Sequence, residues 1–149
     1  MATIRKEIHI DAEPGEVWDA LRDWGALHTR LVPGFVVDLE LDQGDRVITF
    51  FTGAVVRERL VGIEEDERRL AWSILDGPYM HHNASAQVFD GEGAGTRFVW
   101  IADVLPHDVV ARTSGLMDRG TTTIKQTLEA AATARDERPS SSDLRGGSD

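Results

Sequence analysis

The sequence predicts an α+β fold: a curved, seven-stranded antiparallel sheet around one long C-terminal helix, with two short helices after the first strand. Three observations predict it. From Asp108 to Ala134 there is no proline, and Leu116, Met117, Gly120, Ile124 and Leu128 fall on one face at helical spacing. Upstream of that helix, strand-like apolar runs follow one another with turn residues between them. A helix of this length is roughly 40 Å long at 1.5 Å per residue, and one such rod cannot cover a wide flat sheet. The sheet must therefore curl around it, and a curled sheet gripping one helix encloses space that suits a small ligand.

The elements follow in order. Ile4, Ile8 and Ile10 alternate with Arg5, Glu7 and His9 in a half-buried first strand. Asp11 is placed to cap the next helix and Pro14 suits its first turn, after which Val17, Trp18 and Leu21 form an apolar stripe. Trp24–His28 suggests a second short helix, ended by Pro33-Gly34. Phe35–Leu41 and Arg46–Thr52 are strands joined by a turn at Asp42–Asp45, and Gly53 leads into a fourth strand, Ala54–Ile63. The charged stretch Glu64–Arg69 reads as a solvated hairpin before Leu70–Leu75. After the turn Asp76-Gly77-Pro78 come strand six, His81–Phe89, a glycine-rich hairpin at Asp90–Gly95, and strand seven, Thr96–Leu105. That glycine-rich hexapeptide is not a phosphate loop, because it has no lysine and leads into a strand.

Composition narrows the functional classes. A chain of 149 residues supports one domain, expected over 1–134, with a core that needs no staples. There is no cysteine, so disulfide and thiolate chemistry are excluded, which suits a reducing cytoplasm. No segment has signal-peptide character and no run approaches the length of a membrane span. The net charge of −10 disfavours nucleic acid and anionic membrane surfaces as partners. Residues 135–149, rich in serine, glycine and charge, are expected to be a disordered tail. A monomer or weak homodimer is the expected state.

This order of elements resembles the helix-grip fold of the START/Bet v 1-like (SRPBCC) superfamily. Ile8-His9-Ile10-Asp11-Ala12-Glu13-Pro14-Gly15-Glu16-Val17-Trp18 looks like the opening strand–helix joint of that superfamily. Arg57-Glu58-Arg59-Leu60, then Asp66-Glu67-Arg68-Arg69-Leu70 and Ser73-Ile74, resemble the middle of bacterial polyketide cyclase/dehydrase-like proteins and of plant abscisic acid receptors. Thr96-Arg97-Phe98-Val99-Trp100 and Pro106 look like the last strand and its exit. The resemblance covers about residues 3–132 and implies a protein that binds or transforms a hydrophobic molecule. Two features differ from the receptors: the loop Thr52-Gly53-Ala54 is too short for a gating flap, and Leu31-Val32-Pro33 offers no lysine for a ligand carboxylate. An acidic ligand of the plant-hormone type is therefore not expected.

Glu58 is the first candidate for chemistry. In Val55–Val61 either face contains apolar residues, but one register buries the permanent cations Arg57 and Arg59, whereas the other buries the single carboxyl of Glu58. The second costs less, and a carboxyl in an apolar cavity holds its proton more tightly, as a general acid or a ligand-contacting group needs. In the receptors the matching glutamate faces the ligand. The competing reading is a rim carboxylate paired with a neighbouring arginine. Trp72 and Ile74 share the face of Leu70, and Trp100, Ala84 and Ala86 join them, the alanines leaving volume for a cavity. Leu116, Met117 and Ile124 face them from the helix, and Gly120 leaves room for a ligand or for Trp72 or is incidental. His81, near Tyr79, sits at the expected pocket mouth, where an imidazole can donate or shuttle a proton or simply face water. His81 and His82 are adjacent in a strand and point to opposite faces, so they do not chelate together; neither a metal nor a cofactor is expected.

Two classes of function remain: a carrier or sensor of an aromatic or polyketide-like molecule, and a polyketide cyclase or aromatase that uses Glu58 as acid and base. A protein-interaction module is a third, with no apolar surface stripe in its favour.

Overall fold

The computed structural model describes residues 2–137. β1 (Ala2–Ile10) leads to α1 (Pro14–Arg22), a 3-10 turn (Trp24–Ala26) and a π-helical turn (Leu27–Leu31). Six strands follow: β2 (Val36–Asp42), β3 (Asp45–Phe50), β4 (Val55–Glu64), β5 (Arg69–Ile74), β6 (His81–Asp90) and β7 (Thr96–Leu105). A 3-10 turn (His107–Val109) then opens α2 (Val110–Asp136). All seven strands form one antiparallel sheet in the order β1-β7-β6-β5-β4-β3-β2. The helix-grip architecture expected from the sequence is the one observed.

Local chemistry accounts for the shape. At the β2–β3 turn Gln43 and Gly44 both take positive φ, 53° and 86°, the mirror-image turn whose twist matches that of the flanking strands. Register shifts between Val36 and Asp38 in β2 and between Leu60 and Gly62 in β4 add bends that help the sheet curl. α2 buries Met117, Gly120, Ile124, Leu128 and Ala132, a stripe at helical spacing, within a core that includes Ile10, Val17, Ile48, Leu70, Phe98 and Val104.

The structure departs from expectation at four places. Asp11 does not cap α1: its side chain meets His9 Nε2 at 2.9 Å, and its backbone N–H donates to Glu129 Oε2 on α2 at 2.8 Å. The second short helix is two tight irregular turns reaching Leu31, ahead of Pro33. The Glu64–Arg69 connection is not simply solvated, because Glu65 accepts from Trp18 Nε1 at 2.8 Å and from Arg22 Nε at 2.7 Å, fastening the hairpin to α1. Finally, α2 runs to Asp136, so the expected tail starts inside the helix; residues 138–149 lie outside the described residues.

Candidate functional site

The inner face of the sheet and the first turns of α2 enclose a cavity of about 270 Å³. Its wall is mostly apolar, with Trp72, Trp100, Phe35 and Phe50 from the sheet side and Leu116, Met117 and Ile124 from α2. The exposed lining residues Thr52, Ala54, Pro78 and Arg112 mark its opening. The indoles of Trp72 and Trp100 lie 6.0 Å apart at 48°, a tilted aromatic pair in the wall.

Across this apolar surface runs one row of polar side chains on neighbouring strands. Arg46 of β3 pairs in register with Glu58 of β4, and Glu58 with Ile74 of β5. Strand alternation points Arg46, Ile48, Val56 and Glu58 into the cavity, so the two charges meet there, Arg46 Nε donating to Glu58 Oε1 at 2.8 Å. Both side chains are more than nine-tenths buried. The guanidinium also lies 3.7 Å from the centroid of the Trp24 ring, and Nη1 donates to the Trp24 carbonyl at 3.3 Å. Burial pulls the Arg46 pKa below its ordinary value, and the facing Glu58 carboxylate opposes that shift. Glu58 Oε2 has no protein hydrogen bond among the described residues.

β5 and β6 part company beyond the pair Trp72 and Ala84, and His82 bridges the gap. Its Nδ1 accepts the Ile74 backbone N–H at 3.0 Å, while its own carbonyl accepts from Ser73 Oγ. Only an unprotonated Nδ1 can accept, so in the neutral ring the proton sits on Nε2. Burial, with a smaller contribution from His81, pushes the His82 pKa down to about 4. Beside it, Tyr79 packs edge-on at 5.0 Å. The Thr113 hydroxyl spends its proton on the Val109 carbonyl at 2.8 Å, so the Tyr79 hydroxyl donates to Thr113 Oγ1, also at 2.8 Å, and joins the β5–β6 loop to α2.

The structure brings Glu58, Trp72, Ile74, Tyr79, Ala86, Trp100, Leu116, Met117 and Ile124 to the cavity wall, and it corrects the remaining expectations. Glu58 is not a lone carboxyl, because its Oε1 meets a buried guanidinium. Arg57 and Arg59 do face outward, where they bind Asp45. His81 is exposed, and its neighbour His82 turns inward. Ala84 is buried but forms no part of the wall; it sits opposite Trp72, as Ala86 sits opposite Trp100, so the room the alanines leave is shared with indoles. Gly120 makes room for Trp100, not for Trp72 or a ligand: a Cβ there would lie 2.8 Å from Trp100 Cζ3. The described residues hold no cluster of three or more His, Cys, Asp or Glu able to bind a metal, and none of their helices is long and apolar enough to cross a membrane.

Arg46, His82 and Trp24 were not among the candidates, although the strand pattern carried a signal for the first two. Arg46 shares parity with Ile48 and Phe50, and His82 shares parity with Ala84, Ala86 and Val88.

The family described as polyketide cyclase / dehydrase and lipid transport matches residues 1–134. No curated protein gives a match. Among solved structures, XoxI of Bacillus cereus is similar at 19% identity and a TM-score of 0.77, over 93% of this chain and 100% of that one. An uncharacterized protein of Bacillus thuringiensis gives 18% identity and a TM-score of 0.77, covering 85% of this chain and 98% of that one. A point mutant of norcoclaurine synthase from Thalictrum flavum, in complex with a transition-state analogue, gives 17% identity and a TM-score of 0.64, covering 87% and 95% respectively. At these identities the structural likenesses establish the fold alone.

Proposed function

The chain belongs to the polyketide cyclase / dehydrase and lipid transport family, and from that premise we propose that it binds an aromatic or polyketide-like apolar molecule in its internal cavity. The observation that carries this reading is a cavity of about 270 Å³ whose wall pairs two tryptophans with aliphatic side chains around one buried ion pair. Flat apolar rings gain from burial against such a wall, about 25 cal/mol per Å² of apolar surface, and from stacking on the indoles. The buried cation of the cavity wall, Arg46, is already compensated by Glu58, which favours a neutral ligand over an acidic head group.

A second reading, a cyclase or aromatase, rests on Glu58 Oε2. Its neighbour Oε1 is held by Arg46, and Oε2 accepts no hydrogen bond from the described residues, so it is available to take a proton from a bound substrate. The test is a panel of fused aromatic and polyketide-like compounds screened by quenching of tryptophan fluorescence, with product analysis of each binder. Binding is expected, and Trp72→Ala is expected to weaken it about tenfold through lost burial and stacking. Binders returned unchanged support carriage. New products whose formation falls about a hundredfold in Glu58→Gln, with the folded fraction matched, support catalysis. Failure of every apolar compound to bind would overturn both readings.

A further inference from the structure

His82 is a buried imidazole that the ligand-binding reading above does not use. It is 6% exposed and its ring forms part of the cavity wall. One ring nitrogen is committed: Nδ1 accepts the Ile74 N–H at 3.0 Å, which fixes the proton on Nε2. The two nitrogens lie on different edges of the ring, so while Nδ1 faces the β5 backbone, Nε2–H is left without a protein acceptor among the described residues. The ring is also held in place, with Tyr79 packed edge-on at 5.0 Å and Tyr79 itself tied to Thr113. Among the described residues the buried side-chain nitrogens without a partner are Trp100 Nε1 and His28 Nδ1; His82 Nε2 is not one of them and keeps accessible surface, so a ligand that covers it must supply an acceptor or leave the donor unpaired. On the inward face His82 stands one strand beyond Ile74, which pairs with Glu58, so the imidazole and the ion pair are two strands, roughly 10 Å, apart along the backbone. They are separate polar points in a mostly apolar wall, which also carries Tyr79, Thr113 and the unpaired Trp100 Nε1.

We propose that His82 is a specificity residue whose Nε2–H donates a hydrogen bond to a neutral carbonyl oxygen carried by the ligand, so that the cavity selects aromatic ketones or quinones over hydrocarbons of the same shape. The inference rests on the ligand-binding reading above and adds the chemical group that is read. A carbonyl suits the site because a neutral imidazole donor matches a neutral acceptor. A hydrocarbon in the same place leaves the N–H desolvated and unpaired, the situation in which binding sites discriminate most strongly.

The test uses fluorenone and fluorene, which differ in one carbonyl oxygen, titrated into the full chain and followed by tryptophan quenching. The wild-type protein is expected to prefer fluorenone by roughly fivefold to tenfold, the range of one buried hydrogen bond. His82→Asn keeps an acceptor near the position of Nδ1 for the Ile74 N–H but lacks the Nε2–H donor. It is expected to abolish the preference while leaving fluorene affinity within about twofold. A merely structural role would weaken both ligands together and leave their ratio unchanged, which would overturn the proposal. A second measurement needs no variant: nitrogen NMR of the wild-type histidines should show His82 as the Nε2–H form, with that proton shifting downfield on addition of fluorenone and not of fluorene. An Nδ1–H ring, or equal wild-type affinity for both probes, defeats this inference and leaves the ligand-binding reading standing. If neither probe nor any other apolar compound binds, both fall.

Discussion

At the scale of single residues, the Arg46–Glu58 pair carries the largest consequences. Each charge is buried and tolerable only because the other is there, so removing one is expected to cost more than the pair contributes. Glu58→Gln keeps the shape of the wall but strands a guanidinium, and should lower stability by about 3 kcal/mol in urea unfolding. Replacing both, Arg46→Met with Glu58→Leu, should recover most of the loss; a double variant as unstable as the single one would show that shape, not charge, is what the site needs. Gly120 offers a contrasting case. Alanine is the better helix former by roughly 1 kcal/mol, yet a Cβ at 120 meets the Trp100 ring at 2.8 Å. Thermal unfolding should therefore show Gly120→Ala destabilised by about 1–3 kcal/mol, the overpacking term prevailing over propensity. The sequence shows why these residues differ in legibility. Glu58 was legible because the alternative register would have buried two arginines. Arg46 was missed because a charged residue beside a turn reads as solvent-facing. Only its parity with Ile48 and Phe50, and its position opposite Glu58 once the β3–β4 turn is fixed, place it inside. His82 was missed for a related reason: adjacent histidines look equivalent until the parity of Ala84, Ala86 and Val88 is applied to them.

At the scale of elements, periodicity carried the strands and the long helix, because alternation in strands and a 3.6-residue repeat in helices follow from backbone geometry. What periodicity could not carry were contacts between side chains and distant backbone. The segment Trp24–Leu31 folds as successive 3-10 and π turns, with the Trp24 ring taking Arg46 on its face and its Nε1 donating to the Gly44 carbonyl at 3.1 Å. No local pattern specifies that. The β4–β5 hairpin is the same kind of case: its charges look solvated, yet Glu65 joins Trp18 and Arg22 of α1. Glu65→Ala should loosen α1 from the sheet, leave the Trp18 N–H without its partner and lower stability modestly. Trp18 emission should shift to the red before global unfolding in a thermal ramp. Coincident transitions would mean that α1 does not depend on this contact.

At the scale of the whole molecule, the test is how stability responds to acid. Several carboxylates are held below their ordinary range by charged or N–H partners: Asp45 by Arg59 and Arg57, Glu65 by Trp18 and Arg22, Glu129 by Lys125 and the Asp11 backbone, and Asp19 by Arg30. Each favours the folded state while ionised, so its contribution is complete above the ordinary carboxylate range and is lost as pH falls through that range. His82 acts in the same direction but earlier. Its folded pKa of about 4 lies below its ordinary 6.5, so the unfolded chain takes up that proton first. The stability that follows from keeping it neutral is complete above pH 6.5 and declines from there to about pH 4. Relief of self-repulsion in a chain of net charge −10 works against both trends, but it works equally in a variant that changes no other charge. The difference between wild type and His82→Asn therefore isolates the imidazole. Urea midpoints measured from pH 8 to pH 4 should show wild type losing ground to the variant below pH 6.5, with the gap levelling off near pH 4. Parallel curves across that window would mean that His82 is protonated in the folded state as readily as in the unfolded one. The ring could not then be the neutral Nε2–H donor that its bond to Ile74 describes.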